Sequence, residues 1–202
     1  LDSYSNLPDN SVDTTDTRKS LRLAPETPEF KSWFGSSKVT NEDGTPRLVY
    51  HGTVSNFDEF SKAFLGSNTG ASSAREGFFF AGHPTTADAY SQIREGANTM
   101  PVYLSIQNPL VVDLAMSARR KTSYASLVKK AKEDGHDGLI IKNTVDGALP
   151  DDIHVVFDSR QIKSAIGNSG AYSKTDPRIN YALTPEDATK FASKGNEARV
   201  GR

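Results

Sequence analysis

Residues 49–53 read V-Y-H-G-T, and they bring three chemically useful groups together. A histidine both donates and accepts hydrogen bonds near neutral pH. A glycine lets a ligand approach its backbone N–H and C=O closely. Thr53 adds a hydroxyl. His51, Gly52 and Thr53 therefore suit a small polar clamp for a sugar hydroxyl or a carboxamide, and they suit equally a histidine that pairs with a carbonyl beside a turn. A second group is G-F-F-F-A at 77–81. Strand side chains alternate, so Phe79 points opposite to Phe78 and Phe80. Whichever set packs inward, the other faces a cleft. Tyr90 comes eleven residues after Phe79. A ring from a strand and a ring from the next helix can sandwich a flat heterocycle, or all the rings can fill a core.

The elements that must hold these residues are short. Thr27-Pro28-Glu29 is a helix start with a hydroxyl cap and an early proline, Phe30, Trp33 and Phe34 form its apolar face, and Gly35 ends it. Leu48 to His51 is a strand of β-formers, and Gly77 to Ala81 is a second. Phe57 and Phe60 tuck a turn onto the core. The small polar run at 66–77 is a loop. Thr85 or Thr86 caps a helix running through Ala87, Tyr90 and Ile93. Val102, Leu104 and Ile106 alternate as a strand, Asn108-Pro109 breaks it, and Leu110-Val111-Val112 resumes it. Residues 123–132 form an amphipathic helix stopped by Gly135. Strands follow at 138–142 and 153–157, and residues 161–164 continue or pair with the latter. Many short strands with a few short helices predict an α+β domain on a mixed or antiparallel sheet. Residues 1–26 read as a flexible arm or linker, 27–181 as the domain, and 182–202 as a polar tail with a short helix near Thr184.

Composition narrows the function. The chain has 202 residues, 24 basic and 25 acidic, with a formal net charge of −1. That balance disfavours a broad grip on nucleic acid, and the basic runs Arg119-Arg120-Lys121 and Lys129-Lys130-Ala131-Lys132 read as solvated faces. There are no cysteines, which excludes disulfides, thiolate metal sites and a cysteine nucleophile. No apolar run is long enough to span a membrane. The chain begins at Leu1, as expected of a piece of a larger polypeptide.

Taken in order, Y-H-G-T, G-F-F-F-A with A-x-x-Y-S, V-Y-L-S-I-Q-N-P-L, H-D-G-L-I-I-K-N and H-V-V-F-D-S-R-Q-I-K-S-A-I-G-N resemble an ADP-ribosyltransferase domain. More narrowly, they are similar to the domains found in large polyvalent proteins of phages and mobile elements. The resemblance covers roughly residues 28–181. It implies an ADP-ribosyltransferase-like split β-sheet pair with short flanking helices, clasping NAD as co-substrate, with no metal. By the same resemblance His51 holds the ribose and Gly52 the carboxamide. Thr53 lines the site, and Phe79 and Tyr90 are the rings that stack the nicotinamide, with Phe80 beside them. Phe79 stands where tyrosine is usual. The usual acid falls at Ile153, so Asp152 and Gln161 are the candidates for its role. Asp152 would need a bulge or a one-residue shift to reach the right face.

The function so implied is NAD-dependent mono-ADP-ribosylation of a host protein with release of nicotinamide. The setting is a bacterial cytoplasm, reached with a phage particle or mobile element. The alternatives are a non-catalytic NAD-binding or interaction module and a transferase acting on nucleic acid.

Overall fold

The computed structural model describes residues 24–53, 57–66, 73–91, 98–116, 123–145, 150–166, 168 and 172–180. Residues 1–23 of the expected arm, the tail from 182 with its short helix, Ile93, Arg119-Arg120-Lys121 and residues 67–72 of the polar loop lie outside them; the last three residues of that arm, Ala24–Glu26, form a 3-10 helix.

Among the described residues three α-helices form where local chemistry favours them. In α1 (Pro28–Phe34) the Thr27 hydroxyl accepts a hydrogen bond from the Phe30 N–H at 3.2 Å, and Gly35 at φ 58° turns the chain away. Helix α2 spans Pro84–Ser91. Its first residue is Pro84, so the expected caps, Thr85 or Thr86, lie inside the helix, and the Ala87 N–H bonds back to the His83 carbonyl. Helix α3 (Tyr124–Glu133) is capped by Ser123 and buries Leu127, Val128 and Ala131.

Among the described residues seven strands make one mixed sheet. They are β1 (Val49–Thr53), β2 (Phe78–Ala81), β3 (Asn98–Leu104), β4 (Pro109–Asp113), β5 (Gly138–Thr144), β6 (Asp151–Val156) and β7 (Ile162–Ser164). Their order is β4-β5-β6-β2-β1-β3-β7. Only β4 and β5 run parallel. The α+β class expected from the strand pattern is present. All seven strands are joined in one order, but the join is thinnest in the middle. β1 pairs with β3 over five residues and β2 with β6 over four, whereas β1 and β2 share the single pair Tyr50↔Ala81.

One strand lies far from where its sequence suggests. Residues 109–113 do not resume β3. They cross to the opposite edge and run beside β5. The Asp137 carboxylate fixes this crossing by accepting the N–H groups of Gln107 at 2.7 Å and Asn108 at 2.8 Å. The alternating pattern is the same in either place, so periodicity alone could not choose between them.

The sheet has two apolar faces. One packs Val49, Phe60, Phe78, Phe80, Val102, Leu104, Ile106 and Val156. The other packs Ala81, Leu139, Ile141, Ile153 and Val155 under α3 and Ala87 of α2. A third cluster sets Phe30 edge-on against Tyr103 and Tyr172, at 5.0 and 4.9 Å between ring centres. Phe80 is 1% exposed and touches the rings of Phe60 and His51. Truncating it to alanine is expected to cost about 3–5 kcal/mol through lost burial and a cavity. Urea unfolding of the Phe80→Ala protein measures that loss.

Candidate functional site

The site begins at the thin join. Beyond Tyr50↔Ala81 no further β1–β2 residue pair forms. There the His51 imidazole takes over, with Nδ1 at 2.9 Å from the Phe79 carbonyl oxygen. A carbonyl only accepts, so Nδ1 carries the proton and Nε2 carries the lone pair. Burial holds His51 below its ordinary value, with the Phe79 bond only partly opposing it, so the ring is neutral near pH 7. The ring is half-buried and packs edge-on against Phe60 at 4.9 Å, with Phe57 at 6.4 Å. A neutral, oriented imidazole with Nε2 as acceptor suits a sugar hydroxyl.

The other candidates divide between the two faces. Phe79 lies on the face opposite the His51 ring, so the histidine meets its carbonyl and not its side chain. Gly52 alternates onto the Phe79 face and presents no side chain there. Helix α2, which carries Tyr90, lies against β1 and β3 with Ala87 buried on that same face. The Tyr90 side chain lies outside the described residues. The ring seen beside Phe79 is Tyr124 at the start of α3, 6.4 Å away and inclined by 26°. Sequence reasoning missed Tyr124 because nothing local ties residue 124 to residue 79. Thr53 is buried on the His51 face. Phe80, expected among the rings facing a ligand, is instead buried beneath His51. Its alternation places it in the core of that face.

The acid position resolves into three neighbours. Ile153 pairs with Ala81 and is 3% exposed on the Phe79 face. Asp152 points the other way. It accepts the Arg47 guanidinium at 3.0 Å and the Asn143 N–H at 3.0 Å. A bulge does occur here, but its two extra-spaced residues, Lys142 and Asn143, are on β5 between Ile141↔Ile153 and Thr144↔Asp151. It leaves the facing of β6 unchanged, so the shift that would turn Asp152 toward Ile153's face does not occur. Asp151 shares the face of Ile153 and is buried. It accepts the His83 N–H and the His83 Nδ1–H, both at 3.0 Å, and the Asp152 N–H at 2.7 Å. No motif in the sequence links residues 83 and 151, and only the β2–β6 pairing brings them together.

Gln161 is remote in role from this cluster. Its amide oxygen accepts the N–H groups of Phe157 at 3.2 Å and Asp158 at 3.0 Å, and its amide nitrogen donates to the carbonyls of Ser105 at 3.1 Å and Asp137 at 2.8 Å. With both ends so occupied it serves as a clip between strands, and the structure does not bring it to His51. It lines a groove of about 480 Å³ with Trp33, His136, Arg160 and Lys174. Among the described residues no group of three or more His, Asp or Glu side chains could hold a metal. None of the helices there is long and apolar enough to cross a membrane. The exposed lysines of α3 are matched by acids: Lys130 by Asp134 at 2.7 Å and Lys132 by Glu76 at 3.0 Å.

Two outcomes follow from these environments. His154 is fully buried on the His51 face with Nδ1 unpartnered among the described residues, and burial, then Arg47, push it from 6.5 down to about 3. The unfolded chain takes up that proton below pH 6.5 and the folded one does not, so stability falls as pH drops from 6.5 toward 3. The slope is about 1.4 kcal/mol per pH unit. Urea midpoints at pH 7 and pH 5 are expected to differ less in His154→Leu than in the wild type. Gln161→Ala strands four backbone groups and is expected to lose about 2–4 kcal/mol, read by thermal melting.

A family model for the ADP-ribosyltransferase in polyvalent proteins matches residues 41–172. No curated protein and no solved structure matches the chain.

Proposed function

Because the chain belongs to the ADP-ribosyltransferase family of polyvalent proteins, we propose that it is an NAD-dependent mono-ADP-ribosyltransferase. In this reading it moves ADP-ribose from NAD to a host protein and releases nicotinamide, in a bacterial cytoplasm reached with a phage particle or mobile element. The observation that carries the reading is the neutral His51 ring, tied through Nδ1 to the Phe79 carbonyl and turned to accept through Nε2.

NAD enters as substrate. Breaking its C–N glycosidic bond gives the ribose carbon oxocarbenium character, so the protein must fix the sugar and stabilise developing charge. His51 accepts from a ribose hydroxyl. Gly52 offers backbone groups to the carboxamide, and the lack of a side chain there gives a flat ring room beside Phe79. Thr53, buried on the His51 face, does not line that place, and in this reading Tyr90 on α2 supplies the second ring. Nicotinamide leaves as a neutral molecule, so no strong general acid is needed at the position of Ile153.

A second reading, a non-catalytic NAD-binding module, is favoured by Ile153 itself, an apolar residue buried where the usual acid stands. Near-neutral net charge argues against a nucleic-acid acceptor.

With adenylate-labelled NAD and bacterial lysate, the wild type is expected to label protein and release nicotinamide. His51→Ala is expected to lose about 10²–10³-fold in rate while keeping its circular dichroism spectrum. Equal labelling by the two proteins overturns the role of His51. NAD binding without nicotinamide release selects the binding module, and label on nucleic acid selects the other acceptor.

A further inference from the structure

The site as described binds a sugar and lets a base leave, but nothing in it takes a proton from the incoming nucleophile. The position that would do so holds Ile153. Two residues earlier on the same strand and the same face, about 7 Å away along β6, lies Asp151. Its carboxylate side chain is 1% exposed, while the His83 side chain bonded to it is 57% exposed. The carboxylate holds both the backbone N–H and the ring Nδ1–H of His83. An ionised carboxylate only accepts, so it fixes the tautomer with the proton on Nδ1 and the lone pair on Nε2. Nε2 makes no bond to a described residue. The anchoring oxygen is buried and the basic nitrogen side is open.

The turn that carries the ring is also held. The Gly82 N–H bonds to the Asp152 carbonyl at 2.9 Å. A Cβ on Gly82 would run into the Asp151 carboxylate and the Arg47 guanidinium. A larger residue there would have to displace one of these side chains, and the close fit keeps His83 beside the strand that carries Ile153. The titratable groups on the surrounding elements are Asp151 and Asp152 from β6, Arg47 before β1, Lys142 from β5 and Asp88 from α2.

We propose that His83, oriented by Asp151, is the general base that activates a hydroxyl acceptor in the transfer reaction, replacing the carboxylate absent at Ile153. The inference rests on the transferase reading above. As the acceptor O–H attacks, the new bond forms between its oxygen and the ribose C1′. The C1′–N bond to nicotinamide breaks and its electron pair leaves with the neutral base. The acceptor proton passes to His83 Nε2 and then to solvent. His83 is the catalytic residue in this step, and Asp151 is a positioning residue. An acceptor carboxylate has no proton to lose and would not need the pair, so the pair argues for an acceptor that must shed a proton as it attacks, of which a hydroxyl is the simplest.

Water is the simplest hydroxyl, so the test uses the full chain and NAD alone, following nicotinamide release. His83→Ala is expected to lower kcat about 10²-fold with KM for NAD little changed. Added imidazole is expected to restore part of that rate. His83→Gln keeps a donor for Asp151 but supplies no base, and is expected to be equally slow. Asp151→Asn can donate to Nδ1 and so drive the proton onto Nε2; it is expected to be slow and not rescued by imidazole. The wild-type pH profile is expected to carry an acidic limb that both His83 variants lack. Unchanged kcat and pH profile in His83→Ala overturns the base assignment and leaves the transferase reading standing. No nicotinamide release from the folded wild type overturns both.

Discussion

The hydrogen bond between His51 and the Phe79 carbonyl sits where the sheet comes closest to parting. Strands β1 and β2 meet through one residue pair, and beyond it a side chain completes what the backbone does not. A ladder continued by backbone pairing would have consumed that carbonyl. Because an imidazole takes the carbonyl instead, one nitrogen is fixed as donor and the other is left as acceptor. The same bond therefore links two halves of the sheet and sets the chemistry of the histidine. Burial adds the second condition by keeping the ring neutral.

The row Ile141–Ile153–Ala81–Tyr50–Pro101 crosses that join without a break. It gives the molecule a fixed level from which the other groups can be located. Phe79 and Gly52 lie on one side of it, and Asp151 with His83 on the other, all on one face. The His51 ring, Phe80 and His154 occupy the opposite face. A neutral buried histidine such as His154 costs little above its titration range, so long as it is not asked to carry charge. Charges are kept at the strand ends, where Arg47 pairs with Asp152 and the Asp151 carboxylate accepts from His83.

Much of this could be read directly from the residues. Thr27-Pro28 at the start of α1 and Ser123 before α3 are caps whose local chemistry needs no partner elsewhere. His51, Gly52 and Phe79 could be singled out because a polar residue and a glycine at a strand end, and three rings in a row on another, conflict with simple core packing. The departure at Ile153 was also visible, since an apolar residue stood where the resemblance required an acid.

The sequence alone determined which residues have useful chemistry, how the side chains alternate along each strand and which family pattern they match, because these depend on residue type and short spacing. Tertiary structure decided that residues 109–113 lie at the far edge, that Asp152 turns to Arg47, that Gln161 binds four backbone groups, and that His83 meets Asp151 across 68 residues of chain. Each of these depends on which strands neighbour one another and in what register, and strand pairing is a non-local choice that similar alternating patterns leave open.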